Sequence, residues 1–536
     1  MSYVVPDRDR WSLPQLLLAR AEELGPAPFA SFGLDERSLS YEQTAKEALA
    51  VAAGLSALGL RQGDPVLIML RNRAEFVLGW FGAALAGMVQ VPVNVDYRGA
   101  FLEHLVATAR GTAMIVEEDF LEAIDASLER LPSLRTVVVV GEPRPLPGVQ
   151  VISFDELAAS GGAFEPARVR PFDHAAIHFT SGTSGRSKGA LVPHANLHLL
   201  AERNRELVDV GRGDVYLTEL PLFHINAQMT VYTALLAGAS SRVERRFSAS
   251  RWLDRVNGAG VTHTSLLGVM LAFILAQPER EDDASCPLRV VWTVPCPAGP
   301  AAELRRRFGL ERVVTSYGST ELGMVARVMP GEERDDAAGK SEPDFYEIRI
   351  VDERDEDVPP GEPGELAVRP RIPWTTTLGY VGMAEATSTA FRNFWFHTGD
   401  LARIDEDGYL FFLDRFSDRI RRRGENIASL DVELVLEAHP QIAEAAVIGV
   451  PASEVGGEDE LKAVVVAEVG QALDADAVWA WCDDRLPHFA VPRYVEIVAE
   501  LPKTPTAKVQ KNELRAAGVG PTTADRGGGP ARRGNR

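Results

Sequence analysis

Four short segments concentrate the residue types that handle phosphates and sugars. The first, residues 180–189 (TSGTSGRSKG), sets five hydroxyl residues, three glycines, Arg186 and Lys188 in ten positions after the apolar run AAIHF. Glycines let backbone amides approach an anion, hydroxyls donate to its oxygens, and a lysine adds a point charge. The pattern suits phosphates but is not a Walker A motif, because Ser187 precedes Lys188 and Gly189 follows it. Alone, it equally fits a flexible polar surface loop.

The second segment, residues 315–323 (TSYGSTELG), joins an aromatic ring, a glycine turn, hydroxyls and a carboxylate after the apolar pair Val313 and Val314. Aromatic stacking on a base, hydroxyls on phosphate and Glu321 on Mg²⁺ would suit a nucleotide. A strand-ending turn with a helix-capping hydroxyl is the plain alternative. The third, residues 396–415 (FHTGDLARIDEDGYLFFLDR), offers Asp400 after a glycine turn and Arg415 after a strand. A carboxylate can accept both hydroxyls of a ribose, and an arginine can assist from the other side. Residues 405–408 (DEDG) read as a hairpin turn. The fourth, residues 502–511 (PKTPTAKVQK), holds Lys503, Lys508 and Lys511, three of only seven lysines in a chain that otherwise uses arginine. A mobile point charge there would serve an anionic ligand.

These segments need elements to hold them. Between residues 40 and 170 the pattern predicts a helix at 41–58, strands at 65–69 and 89–93, a helix at 74–87 and a strand at 135–140, an α/β arrangement with a parallel sheet. A second alternation over 190–325, with strands at 215–218 and 288–293, predicts a second layered α/β lobe. From about 340 the chain turns to short β segments at 346–352, 364–370 and 409–415, read as a small distorted β-barrel. An α+β segment then runs to 517. The expected organisation is a large domain over 1–414, a hinge at 415–418, a small mobile α+β domain over 419–517, and a disordered Gly/Pro/Arg tail over 518–536.

Composition narrows the class. The 536 residues are 46% hydrophobic and 25% charged, as in ordinary globular proteins. A net charge of −20 argues against a nucleic-acid binder that relies on a global positive field. Cys286, Cys296 and Cys482 are too scattered for a disulfide framework or a CxxC site, which fits a reducing cytosol. The amino terminus, MSYVVPDRDRW, lacks the apolar core of a secretory signal. Residues 76–95 carry no charge over 20 positions, about a bilayer's length, but Gln90, Pro92 and Asn94 interrupt them. They read as a buried helix and strand.

In this order and spacing the four segments resemble the acyl-adenylate-forming superfamily of acyl-CoA synthetases, luciferases and peptide-synthetase adenylation domains. The resemblance spans about residues 10–517 and includes residues 60–94, PLFHINAQ (221–228), GEPGELAVRP (361–370) and RRRGENI (421–427). LTELPLFHINAQ, RRRGENI and KTPTAKVQK are most similar to the carnitine/crotonobetaine-CoA-ligase-like group.

The resemblance implies that a carboxylate attacks the α-phosphate of Mg-ATP, giving acyl-AMP and pyrophosphate, and that a thiol, commonly coenzyme A, then displaces AMP. It assigns Thr180, Ser181, Gly182, Thr183, Ser184 and Lys188 to the β- and γ-phosphates. Ser316, Tyr317 and Gly318 fall in the nucleotide site, with Tyr317 stacked near adenine, and Thr320 and Glu321 serve the α-phosphate and Mg²⁺. Asp400 and Arg415 hold the ribose, and Lys508 bridges carboxylate and α-phosphate. After rotation of the small domain, Gly424, Glu425 and Asn426 line the thiol channel. His224 sits where thiol and acyl group meet, and Asn226, Gln228 and Met324 join it in the acyl pocket.

The chain departs from the family pattern at the hinge, where Ser417 stands, at Ala507 before Lys508, and in residues 294–300 (VPCPAGP), which replace the usual Gly-Ala-Pro stretch along adenine. Cys296 there reads as packing. The expected function is an ATP-dependent acyl-CoA ligase for an organic acid. Its rival is an adenylating enzyme that hands acyl-AMP to a carrier or transferase protein. A luciferase-like monooxygenase and a non-catalytic nucleotide binder stand further off, and a homodimer is left open.

Overall fold

A computed structural model describes residues 8–34, 36–180, 187–294, 296, 298–415, 419–422, 425–452, 459–502, 509 and 511–527. Two seven-stranded sheets form the large part. In the first, the strands Pro65–Met69, Val89–Pro92, Ala113–Glu117, Thr136–Val140 and Gln150–Ser153 run parallel, and His174–Thr180 continues the sheet before turning back antiparallel into Lys188–Pro193. In the second, Val215–Thr218, Ser240–Val243, His263–Leu267, Val290–Val294 and Arg312–Val314 are parallel, with Pro28–Phe32 and Ser38–Ser40 closing one edge.

The charge-free stretch accounts for how the lobes join. Its first part forms the helix Ala74–Leu85, buried at every position but Glu75, and its second part forms the strand Val89–Pro92, buried throughout. The helix ends two residues short of the expected 87 because Gly87, at φ +68°, takes the left-handed conformation that turns the chain into the strand. One apolar cluster unites Ile68, Trp80, Tyr232 and Leu266 from both lobes. Among the described residues no helix is long and apolar enough to cross a membrane.

The third sheet is antiparallel throughout and contains the expected strands Tyr346–Val351, Gly364–Pro370 and Tyr409–Arg415. Asp405 closes the expected hairpin by accepting from the amides of Asp407 and Tyr409. The last unit combines the hairpin Arg419–Arg422 and Glu425–Ala428 with a sheet of Ile442–Pro451, Asp459–Ala467, Tyr494–Val498 and Ala524–Asp525.

That last strand corrects the expectation of a disordered tail from 518. Residues 518–527 are held by Lys462 Nζ donating to the Gly518 carbonyl at 2.5 Å, by strand pairing with Tyr494 and Val495, and by ion pairs Arg493–Asp525 and Arg526–Asp483. Polar pairing and a β-ladder order the segment without apolar periodicity. Residues 528–536 lie outside the described residues.

Candidate active site

The C-terminal ends of parallel strands open toward a single side of a sheet, which is where α/β folds gather ligand-binding loops. Here a cavity of about 1190 Å³ lies at those ends and is lined by Thr180, Lys188, Glu321, Asp400, His224 and Glu425 among others. Residues from five separated segments therefore share one space.

One end collects the polar machinery. Thr180 Oγ1 and the Tyr380 hydroxyl both donate to Glu321 Oε1 at 3.1 Å. The Glu321 carbonyl is itself held by the Thr377 amide and the Thr376 hydroxyl, so backbone and side chain are both fixed. Lys188 Nζ lies 5.0 Å from the Tyr380 ring centroid, a cation–π distance. Burial lowers the Lys188 pKa, against the opposing charge of Glu321. Thr320 and Gly318 also line this end.

Asp400 is 2% exposed. It follows Gly399, whose φ of +69° is the left-handed turn the sequence suggested, and strand register sets it directly across from Arg415. The Tyr317 hydroxyl donates to Asp400 Oδ2 at 2.5 Å. This corrects the expected placement of Tyr317. Its ring packs in the third sheet's apolar cluster, stacked with Phe412 at 6.4 Å, and does not line the cavity. Ser316 lines the cavity, while its Oγ accepts from Trp292 Nε1 at 3.1 Å.

His224, Asn226 and Met324 line the same cavity. Gln228 does not join them. It is 1% exposed and spans the two lobes, accepting from Gln90 and donating to the Leu222 carbonyl, so its amide is consumed by structure. The segment leading to His224 is clamped by Asn72 of the first lobe. Asn72 Nδ2 donates to the Leu220 and Glu244 carbonyls, and Oδ1 accepts from the Leu222 amide, each at 2.8 Å. Asn72→Ala leaves three interior backbone groups without this partner and is expected to destabilise the protein by about 3 kcal/mol. Urea unfolding checks it, and an unchanged midpoint would contradict the clamp.

The small unit reaches the same space. Glu425 lies 3.2 Å from His224 Nε2, and the Ser187 amide donates to Asp431. Ser181, Gly182, Thr183, Ser184, Gly424 and Lys508, with Ser417 and Ala507, fall outside the described residues, as do the side chains of Arg415 and Asn426. Cys296 is half-buried, and burial raises its thiol to about 11, which suits packing rather than nucleophilic attack.

Sequence reasoning missed Tyr380, which lies in a Gly-Tyr pair without a distinctive pattern. It also passed over His178, although an imidazole inside the apolar run AAIHF is a legible irregularity.

Comparison with known proteins agrees over most of the chain. The model of the family described as AMP-binding enzyme matches residues 19–381, and that of the AMP-binding enzyme C-terminal domain matches 431–508. A crotonobetaine/carnitine-CoA ligase of Salmonella paratyphi C (strain RKS4594) is 30% identical over 489 residues, covering 89% of this chain and 93% of that protein. Among solved structures, o-succinylbenzoate CoA synthetase from Bacillus subtilis bound to a product analogue, OSB-NCoA, superposes with a TM-score of 0.82 at 26% identity, covering 94% of this chain and 99% of that one. The AMP complex of the same synthetase gives 0.66, at 26% identity and 94% and 98% coverage. The amide bond synthetase McbA from Marinactinospora thermotolerans gives 0.80 at 25% identity, with 93% and 99% covered. The segment order, the shared cavity and these likenesses agree: the chain belongs to the AMP-binding enzyme family.

Proposed function

We propose that the protein is an AMP-forming acid–thiol ligase that activates an organic carboxylic acid with ATP and passes the acyl group to coenzyme A. The observation that carries this reading is the meeting of Thr180, Lys188 and Glu321 with His224 and Glu425 in one cavity. In the first step a substrate carboxylate oxygen bonds to the α-phosphorus while the bond to the bridging oxygen breaks, releasing pyrophosphate. In the second, the thiol sulfur bonds to the acyl carbon, AMP leaves with its oxygen, and the thiol proton is released.

Bringing a carboxylate to a phosphate needs cations that neutralise both and hold them in line. Lys188 and the glycine-rich loop serve the β- and γ-phosphates, Asp400 and Arg415 the ribose, Thr320 the α-phosphate, and Lys508 the reacting oxygens. Glu321 would hold magnesium, since one carboxylate with substrate phosphates is the donor set that ion takes. When bound, the ion supplies neutralising charge on those phosphates.

Rotation of residues 419–517 about a hinge at 415–418 exchanges Lys508 for the Gly424–Glu425–Asn426 loop between steps. The His224–Glu425 contact supports reading the present arrangement as the thiol-accepting one. The higher score against the OSB-NCoA complex than against the AMP complex of the same enzyme supports it too. The free thiols Cys286, Cys296 and Cys482 favour a reducing cytosol.

The contact carries a pH dependence. Burial alone would lower the His224 pKa, but the charge and hydrogen bond of Glu425 turn the net shift upward from 6.5. His224 is 41% exposed, facing the cavity. A raised value means the contact is complete below 6.5 and is lost as pH climbs through the raised pKa. Energy transfer between fluorophores on the two units should fall over that rise, and Glu425→Gln should flatten the profile. A wild-type profile already flat would contradict the latch.

Transfer of acyl-AMP to another acceptor is the second reading, favoured by the likeness to an amide bond synthetase. Incubation with Mg-ATP and pooled acids, with and without coenzyme A, separates the two by mass spectrometry. Acyl-CoA establishes the ligase. Acyl-AMP that persists despite coenzyme A assigns the second step to a carrier or transferase protein.

A further inference from the structure

The strand His174–Thr180 sends alternate side chains to opposite faces. Ile177 and Phe179 join the first lobe's apolar cluster, whereas His178 and Thr180 share the other face; His178, Phe179 and Thr180 all line the cavity. His178 is 3% exposed. Its Nε2 is enclosed and has no hydrogen-bond partner among the described residues. Burial, then the nearby charge of His224, lowers its pKa to about 3, so at neutral pH the ring offers one donor and one acceptor.

An interior polar group left unpaired costs about 1–3 kcal/mol. A leucine would fill the same strand position without that cost, so packing does not account for an imidazole. Two neighbours repeat the pattern. Asn226 Oδ1, two residues beyond His224, and Glu219 Oε2 are enclosed and unpaired among the described residues, and both residues line the cavity. Glu219 is 2% exposed, with its other oxygen held by Arg255. Three separate elements thus put a side chain with an unpaired polar atom among the residues that line the cavity, and partners from outside the described residues, a bound ligand among them, remain to supply the bonds.

We infer that His178, with Asn226, reads a hydroxyl or amino substituent on the acyl portion of the acid. This rests on the ligase reading above. Thr180, whose hydroxyl meets the carboxylate of Glu321 next to Thr320, the residue assigned to the α-phosphate, lies about 7 Å along the strand from His178. The substituent therefore falls within the first few carbons of the chain. A plain hydrocarbon acid leaves the imidazole and the amide unpaired against it, the situation in which a site rejects the analogue lacking the polar group.

The test uses pairs of acids with one carbon skeleton, one member carrying a hydroxyl or amino group at carbon 2, 3 or 4 and the other plain. Pyrophosphate release and acyl-CoA are measured for wild type, His178→Leu and His178→Gln. Wild type should favour the substituted member of at least one pair by about 10²-fold in kcat/KM, short of the roughly 10⁴–10⁵ of sites built from several such bonds. His178→Leu should reduce that preference to a few-fold while retaining turnover of the plain member. His178→Gln, which keeps a donor and an acceptor, should restore part of it. His178→Leu should also melt no lower than wild type, since Nε2 has no hydrogen bond to lose among the described residues. Equal use of both members by wild type, equal loss of both in His178→Leu, or a markedly lowered melting point in that variant would overturn the inference while leaving the ligase reading intact. Absence of acid-dependent pyrophosphate release across every pair and a broad acid pool would overturn the ligase reading, and the inference with it.

Discussion

Lys508→Ala should lose acid-dependent pyrophosphate release by about 10²–10³-fold, the cost typical of removing one preorganised charge from a transition state. The same variant should still convert supplied acyl-AMP and coenzyme A to thioester. The reason is electrostatic. Adenylation joins two anions, so a cation must neutralise the carboxylate and the α-phosphate oxygens together. Lys188 stands beside Glu321 and Tyr380, and its assigned partners are the outer phosphates. Thioester formation sets a thiol against an activated acyl carbon and has no such need. Single-turnover assays of the two half-reactions check the split, and equal loss in both would contradict the role.

Glu321→Gln should lower adenylation by a similar factor, about 10²–10³, and shift the magnesium requirement to higher concentration. Glutamine keeps an Oε1 that can accept from Thr180 and Tyr380, so the loop geometry survives while the charge disappears. Tyr380→Phe removes only one hydrogen bond to that carboxylate and should cost about 10-fold or less. The comparison isolates charge from positioning. Pyrophosphate exchange measured against magnesium concentration decides it, and a Glu321→Gln enzyme with wild-type exchange at wild-type magnesium would remove Glu321 from the metal site.

Much of this was legible from residue order. The strands Pro65–Met69, Val215–Thr218, Gly364–Pro370 and Tyr409–Arg415 were found at their observed bounds, because each is a short run set off by turn residues or prolines. The helix Ala74–Leu85 and the strand after it were recognised as interior elements because a charge-free stretch broken by Gln90 and Pro92 has no stable place in lipid. Tyr317 was harder. Its neighbours Ser316 and Gly318 line the cavity, but strand alternation and the bond to Asp400 turn its ring into the third sheet's core. Gln228 was misplaced for a related reason, since a motif resemblance carries it to the acyl pocket without saying whether the other lobe covers it. Here Gln90 covers it.

By itself, the order of residues determined the chemistry on offer: a glycine-rich hydroxyl and lysine loop, a Glu321 turn, an Asp400 turn and a late Lys508. Those are local properties, set by side-chain type and by turns spanning a few positions. Only the tertiary structure decided which groups face one another. Glu321 meets Thr180 and Tyr380 across 141 and 59 positions of chain, and His224 meets Glu425 across 201. Such contacts follow from how the sheets stack and how the small unit docks, and these depend on the summed burial of many side chains rather than on any one motif. The same stacking enclosed His178 Nε2 without a partner among the described residues, which no local pattern encodes.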